Sequence, residues 1–223
     1  MARKWTKPHK RLSLLAAFLP VLGLGLAGAA AGESSATYER KGDVDYVPEN
    51  SLCVPCHSVV RCAMLCNARD TCWMFLHAAS ASHCFLYEGF YLRKDYRNYT
   101  MSMYILRGLR KLVGVRDDML FDQAESYCWF LSGVMHTPRS ATEAADFMVL
   151  VATYGYTGAK KVSGRWVDRR GIDVTSDFGL MWGRNQPNNY ARYLCTTVSG
   201  GKIFDVSCGQ GRPFVCDIDT SHP

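Results

Sequence analysis

The chain has 223 residues, ten cysteines, a mean hydropathy of −0.10 and a formal net charge of +6. That length holds one large or two small domains, and so many cysteines point to an oxidising extracellular compartment, since cytosolic thiols stay reduced and staple nothing. Arg3, Lys4, Lys7, Lys10 and Arg11 supply five of the six net positive charges, so the rest of the chain is near +1 and lacks a bulk basic surface for nucleic acid.

Those five basic residues precede an apolar run from Leu12 to Leu26 and the small-residue site Ala29-Ala30-Ala31. Residues 1–31 read as a secretory signal peptide, which makes the protein secreted. The alternative is a type II membrane anchor, because Leu12 to Ala31 approaches the ~20 residues a span requires. Its Gly- and Ala-rich second half weakens transfer into lipid and favours cleavage. Residues 32–52 are polar with little periodicity, and a flexible tail is expected.

Six cysteines then crowd between Cys53 and Cys84. A unit over 53–106 is too small to offset chain entropy by apolar burial, so disulfides at ~2–4 kcal/mol each make up the difference. Val59, Cys62, Ala63 and Cys66 recur at helical spacing, placing both cysteines on one face. Cys72 to Leu76 and Cys84 to Tyr87 read as short strands. The sequon Asn98-Tyr99-Thr100 predicts an exposed, glycosylated Asn98.

A second unit is expected over 107–219, with a short C-terminal tail at 220–223. A basic connector from Arg107 leads into a first strand near Val115, and Asp117, Asp118 and Asp122 surround a helix start, where carboxylates oppose the macrodipole favourably. Phe121, Ala124, Cys128 and Leu131 form that helix's buried stripe. A second helix begins at Ser140, with Glu143 completing a capping box, and is predicted to bury Ala145, Met148, Val149 and Ala152. Beyond Tyr154, glycines at 155, 158, 164, 171, 179 and 183 predict a long loop region pinned by short strands. Helices followed by loops and strands give an α+β fold.

Some motifs lead away from catalysis and cofactors. Cys53-Val54-Pro55-Cys56-His57 matches covalent haem attachment, yet four further cysteines follow at once and imply bridging, so neither haem nor zinc is expected. His77, His83 and His136 are isolated from any nucleophile, and no enzyme is predicted. Lys160, Lys161, Arg165, Arg169 and Arg170 form a basic patch suited to sulfated glycans, or else a solvated loop.

Cys128, Cys195, Cys208 and Cys216, the seal Pro213-Phe214-Val215, Trp166, Trp182 and the tripeptide Gln186-Pro187-Asn188 together resemble a C-type lectin domain. That resemblance implies bridges Cys128–Cys216 and Cys195–Cys208, and a calcium and sugar site at Gln186, Asn188 and Asp205. Tyr193 stands where the family places an acid and Phe204 where it places an asparagine, so calcium binding is expected to be weak or absent. In that event Tyr190, Tyr193 and Trp182 offer aromatic faces beside the amides of Asn188 and Asn189, although Trp166 and Trp182 equally suit a core.

The cysteines upstream, in the order C-x3-C then C-x5-C with a later cysteine, resemble a PAN/apple module. This implies Cys62–Cys84 and Cys66–Cys72, leaving Cys53 and Cys56 to pair with each other or with another chain. The expected function is secreted, non-catalytic glycan recognition in defence or at cell surfaces; the alternative is a calcium-independent protein-binding module in adhesion or matrix assembly.

Overall fold

A computed structural model of the chain describes residues 36–221, so the expected leader lies outside the described residues. Among the described residues, no helix is long and apolar enough to cross a membrane. The first half builds a five-stranded antiparallel sheet from β1 (Tyr38–Pro48), β2 (Leu52–Pro55), β3 (Met74–Ala78), β4 (His83–Tyr87) and β6 (Lys94–Leu106), in the order β1-β6-β3-β4-β2. Helix α1 (Val59–Asn67) covers one face, its Cys62 and Cys66 buried and its first turn capped by Ser58, whose side chain accepts from the Arg61 N–H. Disulfides Cys62–Cys84 and Cys66–Cys72 fasten the helix to β4 and to the approach of β3.

Two readings of this half need correction. The tail expected over 32–52 contains strand β1, paired along β6 and burying Val44, Tyr46 and Val47. Its partners run from Lys94 opposite Pro48 to Leu106 opposite Tyr38, far downstream and out of reach of any local pattern. No bond joins Cys53 and Cys56. Successive side chains alternate across an extended strand, so positions three apart face opposite ways. Cys53 is exposed on β2, whereas the Cys56 thiol is buried 3.7 Å from Cys62 Sγ and donates to the Ser58 carbonyl at 3.2 Å. Cys62 and Cys66 are committed to disulfides, which also removes them from any zinc set.

The second half is centred on an eight-stranded sheet. Its main path runs β12 (Lys202–Val206), β11 (Cys195–Ser199), β9 (Tyr154–Val162), β13 (Arg212–Asp219), β7 (Arg110–Met119) and β5 (Tyr91–Leu92); β10 (Arg165–Val167) adds to β9 and β8 (Gly133–Met135) to β13. Helix α2 (Phe121–Phe130) buries Phe121, Ala124 and Cys128, with Leu131 just beyond it also buried. The Cys128–Cys216 bond ties that helix to the middle of β13.

Helix α3 (Ala141–Val151) starts as expected at the Ser140 cap, but it buries Ala144, Phe147 and Val151 rather than the predicted stripe. Val149 is 66% exposed. The helix is apolar on more than one side, so its sequence admits several stripes, and contact with the sheet selects one. Gly114 marks that contact, since a Cβ there would lie 2.4 Å from the Leu150 carbonyl oxygen. A short α4 (Thr175–Phe178) follows in the long-loop region. The expected tail at 220–223 is anchored at its start: Thr220 is buried, accepts from the Leu109 N–H and donates to the Leu106 carbonyl.

One apolar cluster crosses the expected boundary at residue 107. Val44, Trp73, Met74, Tyr87 and Met103 from the first sheet pack in the same core as Val113, Phe121, Cys128 and Phe214 from the second. Strand β5 pairs in parallel with β7, so the first half also supplies a strand to the second sheet. The Tyr46 and Tyr127 hydroxyls meet at 2.8 Å across the junction.

Lys111 sits at this junction with its ammonium 4.2 Å from the Phe90 ring centroid and 5.0 Å from that of Trp73. Burial lowers its pKa from 10.5 to about 8. Between those values the unfolded chain holds the proton more firmly, so this group makes stability rise with pH across that window. Lys111→Met is therefore expected to melt higher than wild type at pH 7, with the difference shrinking by about pH 10.5 as the lysine becomes neutral in both states. Paired thermal melts across that range check it.

Candidate functional site

The tripeptide Gln186-Pro187-Asn188 lies in the loop between Trp182 and Cys195, with a cis Gln186–Pro187 peptide bond. Both ends of the loop are fixed. Gly183 donates to the Ile203 carbonyl at 2.9 Å, and the Lys161 N–H donates to the Leu194 carbonyl at 2.8 Å. The Cys195–Cys208 bond closes the base, joining the start of β11 to the turn after β12. A buried carboxylate steadies the preceding segment: Asp168 receives Arg139 at 2.6 Å and the N–H groups of Arg170 and Ile172, while Arg139 also reaches Asp177.

Asp205 holds the loop from beneath. It is 2% exposed on β12, where strand alternation turns Ile203 and Asp205 inward and leaves Phe204 and Val206 partly exposed. Its two carboxylate oxygens accept the Asn188 N–H at 3.0 Å and the Asn189 N–H at 2.8 Å. Gln186 returns the contact, its Oε1 accepting the Asp205 N–H at 3.3 Å. Three expected sugar and metal residues are thus brought together, but as a structural clamp.

This arrangement does not fit calcium. A calcium ion takes six to eight oxygen ligands, preferably with carboxylates to balance its charge. Here both Asp205 oxygens and the Gln186 oxygen are engaged by backbone donors, and Asn188 Oδ1 accepts from the Tyr190 N–H at 3.3 Å. Asn189 Oδ1 accepts from the Lys161 ammonium at 2.7 Å, which places a positive charge beside the loop. Asp205 is the one carboxylate at the expected ligand positions, since Tyr193 stands at the position read as an acid and Phe204 at the one read as an asparagine.

The loop presents aromatic and amide surface instead. Tyr190 is 62% exposed and meets Tyr193 edge to face at 5.3 Å, with the Arg192 guanidinium 5.6 Å from the Tyr193 ring centroid. Asn188 and Asn189 are exposed beside them. Trp182 does not join this surface. It is half-buried, 5.6 Å from Trp166 and 5.5 Å from Phe178, where it closes the core under the loop.

The basic patch expected over Lys160 to Arg170 is largely neutralised. Lys160 lies 3.5 Å from Asp122 and Arg165 3.8 Å from Asp173; Arg169 pairs with Glu125, and Arg170 with Asp217 at 2.7 Å. Three of the four partners are remote in sequence and the fourth, Asp173, lies across the turn after Arg165, so the run of positive charges alone overstated the local field. Asn98 is exposed on β6, beside the register shift against β1 between Val44 and Tyr46. Sequence reasoning missed Lys161 as a loop contact and gave no role to Tyr154 or Arg212, which line a groove on the open face of β11 and β12 with Phe204 and Gln186.

Residues 117–218 match the family model of the lectin C-type domain, and this segment is a C-type lectin domain. The family is typically non-catalytic and usually extracellular. Similar solved structures include a calcium-independent type II antifreeze protein, 24% identical over 50% of this chain and 87% of that one, with a TM-score of 0.44. Human lithostathine is 21% identical over 48% of this chain and 90% of its own, with a TM-score of 0.43. The carbohydrate-recognition domain of mouse scavenger receptor C-type lectin is 17% identical over 48% and 90%, with a TM-score of 0.42. No curated protein matches the chain.

Proposed function

We propose that this is a secreted glycan-recognition protein whose C-type lectin domain binds sugar without calcium through the loop from Gly183 to Leu194. The observation carrying this reading is the clamp: the Asp205 and Gln186 oxygens that would hold a metal accept backbone N–H groups, while Tyr190 stays exposed against a half-buried Tyr193. A sugar ring has apolar C–H faces and a polar rim, so an aromatic pair flanked by amide groups suits both. Asn188 and Asn189 supply the rim contacts, and a fixed loop costs little ordering entropy on binding. The first half, with its nested bridges beneath α1, is read as a PAN/apple-like module, glycosylated at Asn98. Defence or recognition at cell surfaces is the role this pair of modules suits.

The full chain is the right reagent, because the core crosses residue 107. On a glycan array, binding is expected to survive a chelator and to fall about tenfold in Tyr190→Ala, the size of one lost stacking contact. Binding abolished by chelator would overturn the metal-free reading. A complete lack of glycan signal would favour the rival, a protein-binding adhesion module, for which Tyr193 in place of the family's acid and Phe204 in place of its asparagine are the supporting observation.

A further inference from the structure

We infer that the groove beside the loop, on the open face of β11 and β12, takes an acidic sugar, a pyranose bearing a carboxylate or sulfate. The inference rests on the glycan reading and names the ligand class. The groove is about 310 Å³, at the lower end for small-ligand sites. Phe204 and Tyr154 line it together with Gln186, Ser199, Arg212 and the buried Asp205, whose oxygens are turned to the loop. Phe204 is held close by Gly183, where a Cβ would lie 2.5 Å from the ring.

The polar groups of this groove are unbalanced. Its acceptors are already engaged: Asp205 by two loop N–H groups, Gln186 Oε1 by the Asp205 N–H. The Thr197 hydroxyl donates to the Gly155 carbonyl at 2.7 Å, so it has no proton left to offer. Donors remain. Arg212 has no carboxylate ion-pair partner among the described residues; it gives a hydrogen bond to Gln210 at 2.8 Å and another to the Tyr156 side chain, whose ring centroid lies 5.7 Å from its guanidinium, so the guanidinium N–H groups beyond those bonds are the ones left for a ligand. Its guanidinium lies 5.1 Å from the Tyr154 ring centroid, which holds it beside that ring. The Gln186 amide nitrogen and the Ser199 hydroxyl add further donors. A cation and neutral donors between two aromatic rings complement a ring-shaped anion, and an Arg fork matches the paired oxygens of a carboxylate or sulfate.

The test measures binding of lactose, sialyllactose and sulfated lactose to the full chain with EDTA present. Both acidic sugars are expected to bind about tenfold more tightly than lactose, the worth of a charge-assisted hydrogen bond. The preference should shrink as salt rises and vanish in Arg212→Gln, while Arg212→Lys keeps part of it. Comparing the two acidic ligands separates carboxylate from sulfate. Should Arg212→Gln fail to fold, ligand-induced NMR shifts at the wild-type Arg212 side chain and Ser199 amide decide instead; their absence overturns the groove. Equal affinity for all three sugars, or a preference untouched by Arg212→Gln, also overturns it while leaving the loop reading intact. Acid-sugar binding that needs Arg212 but ignores Tyr190→Ala retains the groove and removes the loop. No binding of any of the three overturns both.

Discussion

Asp205→Ala is expected to destabilise the chain by roughly 2–4 kcal/mol and to abolish glycan binding, because it leaves two loop N–H groups without their charged acceptor. Hydrogen exchange at Asn188 and Asn189 should accelerate far more than exchange in β13, since the loop opens before the core does. Urea denaturation supplies the free-energy difference, and the same loss is expected with EDTA or with calcium. The alternative role for this carboxylate makes an opposite forecast. A metal ligand would let saturating calcium raise the melting temperature of wild type but not of the variant, because an ion that binds only the folded state stabilises it. Calcium-dependent melting of that kind would sink the clamp.

The second large effect concerns the bridge between α2 and β13. Replacing Cys128 and Cys216 together by alanine is expected to cost about 4–5 kcal/mol, since the bond closes 88 residues of sequence and restricts the unfolded chain over that span. For a chain of this size that corresponds to a fall of roughly 10–20 °C in melting temperature. Removing Cys195 and Cys208, only 13 positions apart, should cost about 3 kcal/mol and act mainly on the loop. The Cys128–Cys216 bond also lies within the cluster shared by both sheets, so its loss should loosen the first half as well. Differential scanning calorimetry of the two double variants checks the ranking. Equal melting temperatures would show that strain or residual structure, not loop length, sets these energies.

Legibility in the sequence followed the range of the forces involved. The α1 and α2 faces were readable because apolar and cysteine residues recur at helical spacing, and the Ser140 cap because it acts within four residues. The α3 stripe was not, since a helix apolar on several sides carries no local preference among them. Strand β1 looked like a tail because everything that orders it comes from β6 and the common core. At the site, the cluster of Gln186, Asn188 and Asp205 could be anticipated from the motif, but its use as a clamp could not. That depends on where each oxygen points. Trp182 shows the same limit: an aromatic near a loop is equally suited to surface and core, and only its packing against Trp166 and Phe178 separates them.

What the sequence determined alone was therefore the local and the chemical: a cysteine-rich chain suited to an oxidising compartment, its helical segments, and a loop lacking an acid and an asparagine that calcium would need. The tertiary structure decided which charges are answered. It set acids against four of the five residues in the basic run, engaged the oxygens of the motif from below, and left Arg212 in a groove with Tyr154 and Phe204 without an ion-pair partner among the described residues. Electrostatic and hydrogen-bond balance is a property of neighbours in space, and residues as far apart in sequence as Tyr154, Gln186 and Arg212 become neighbours only when the sheet forms.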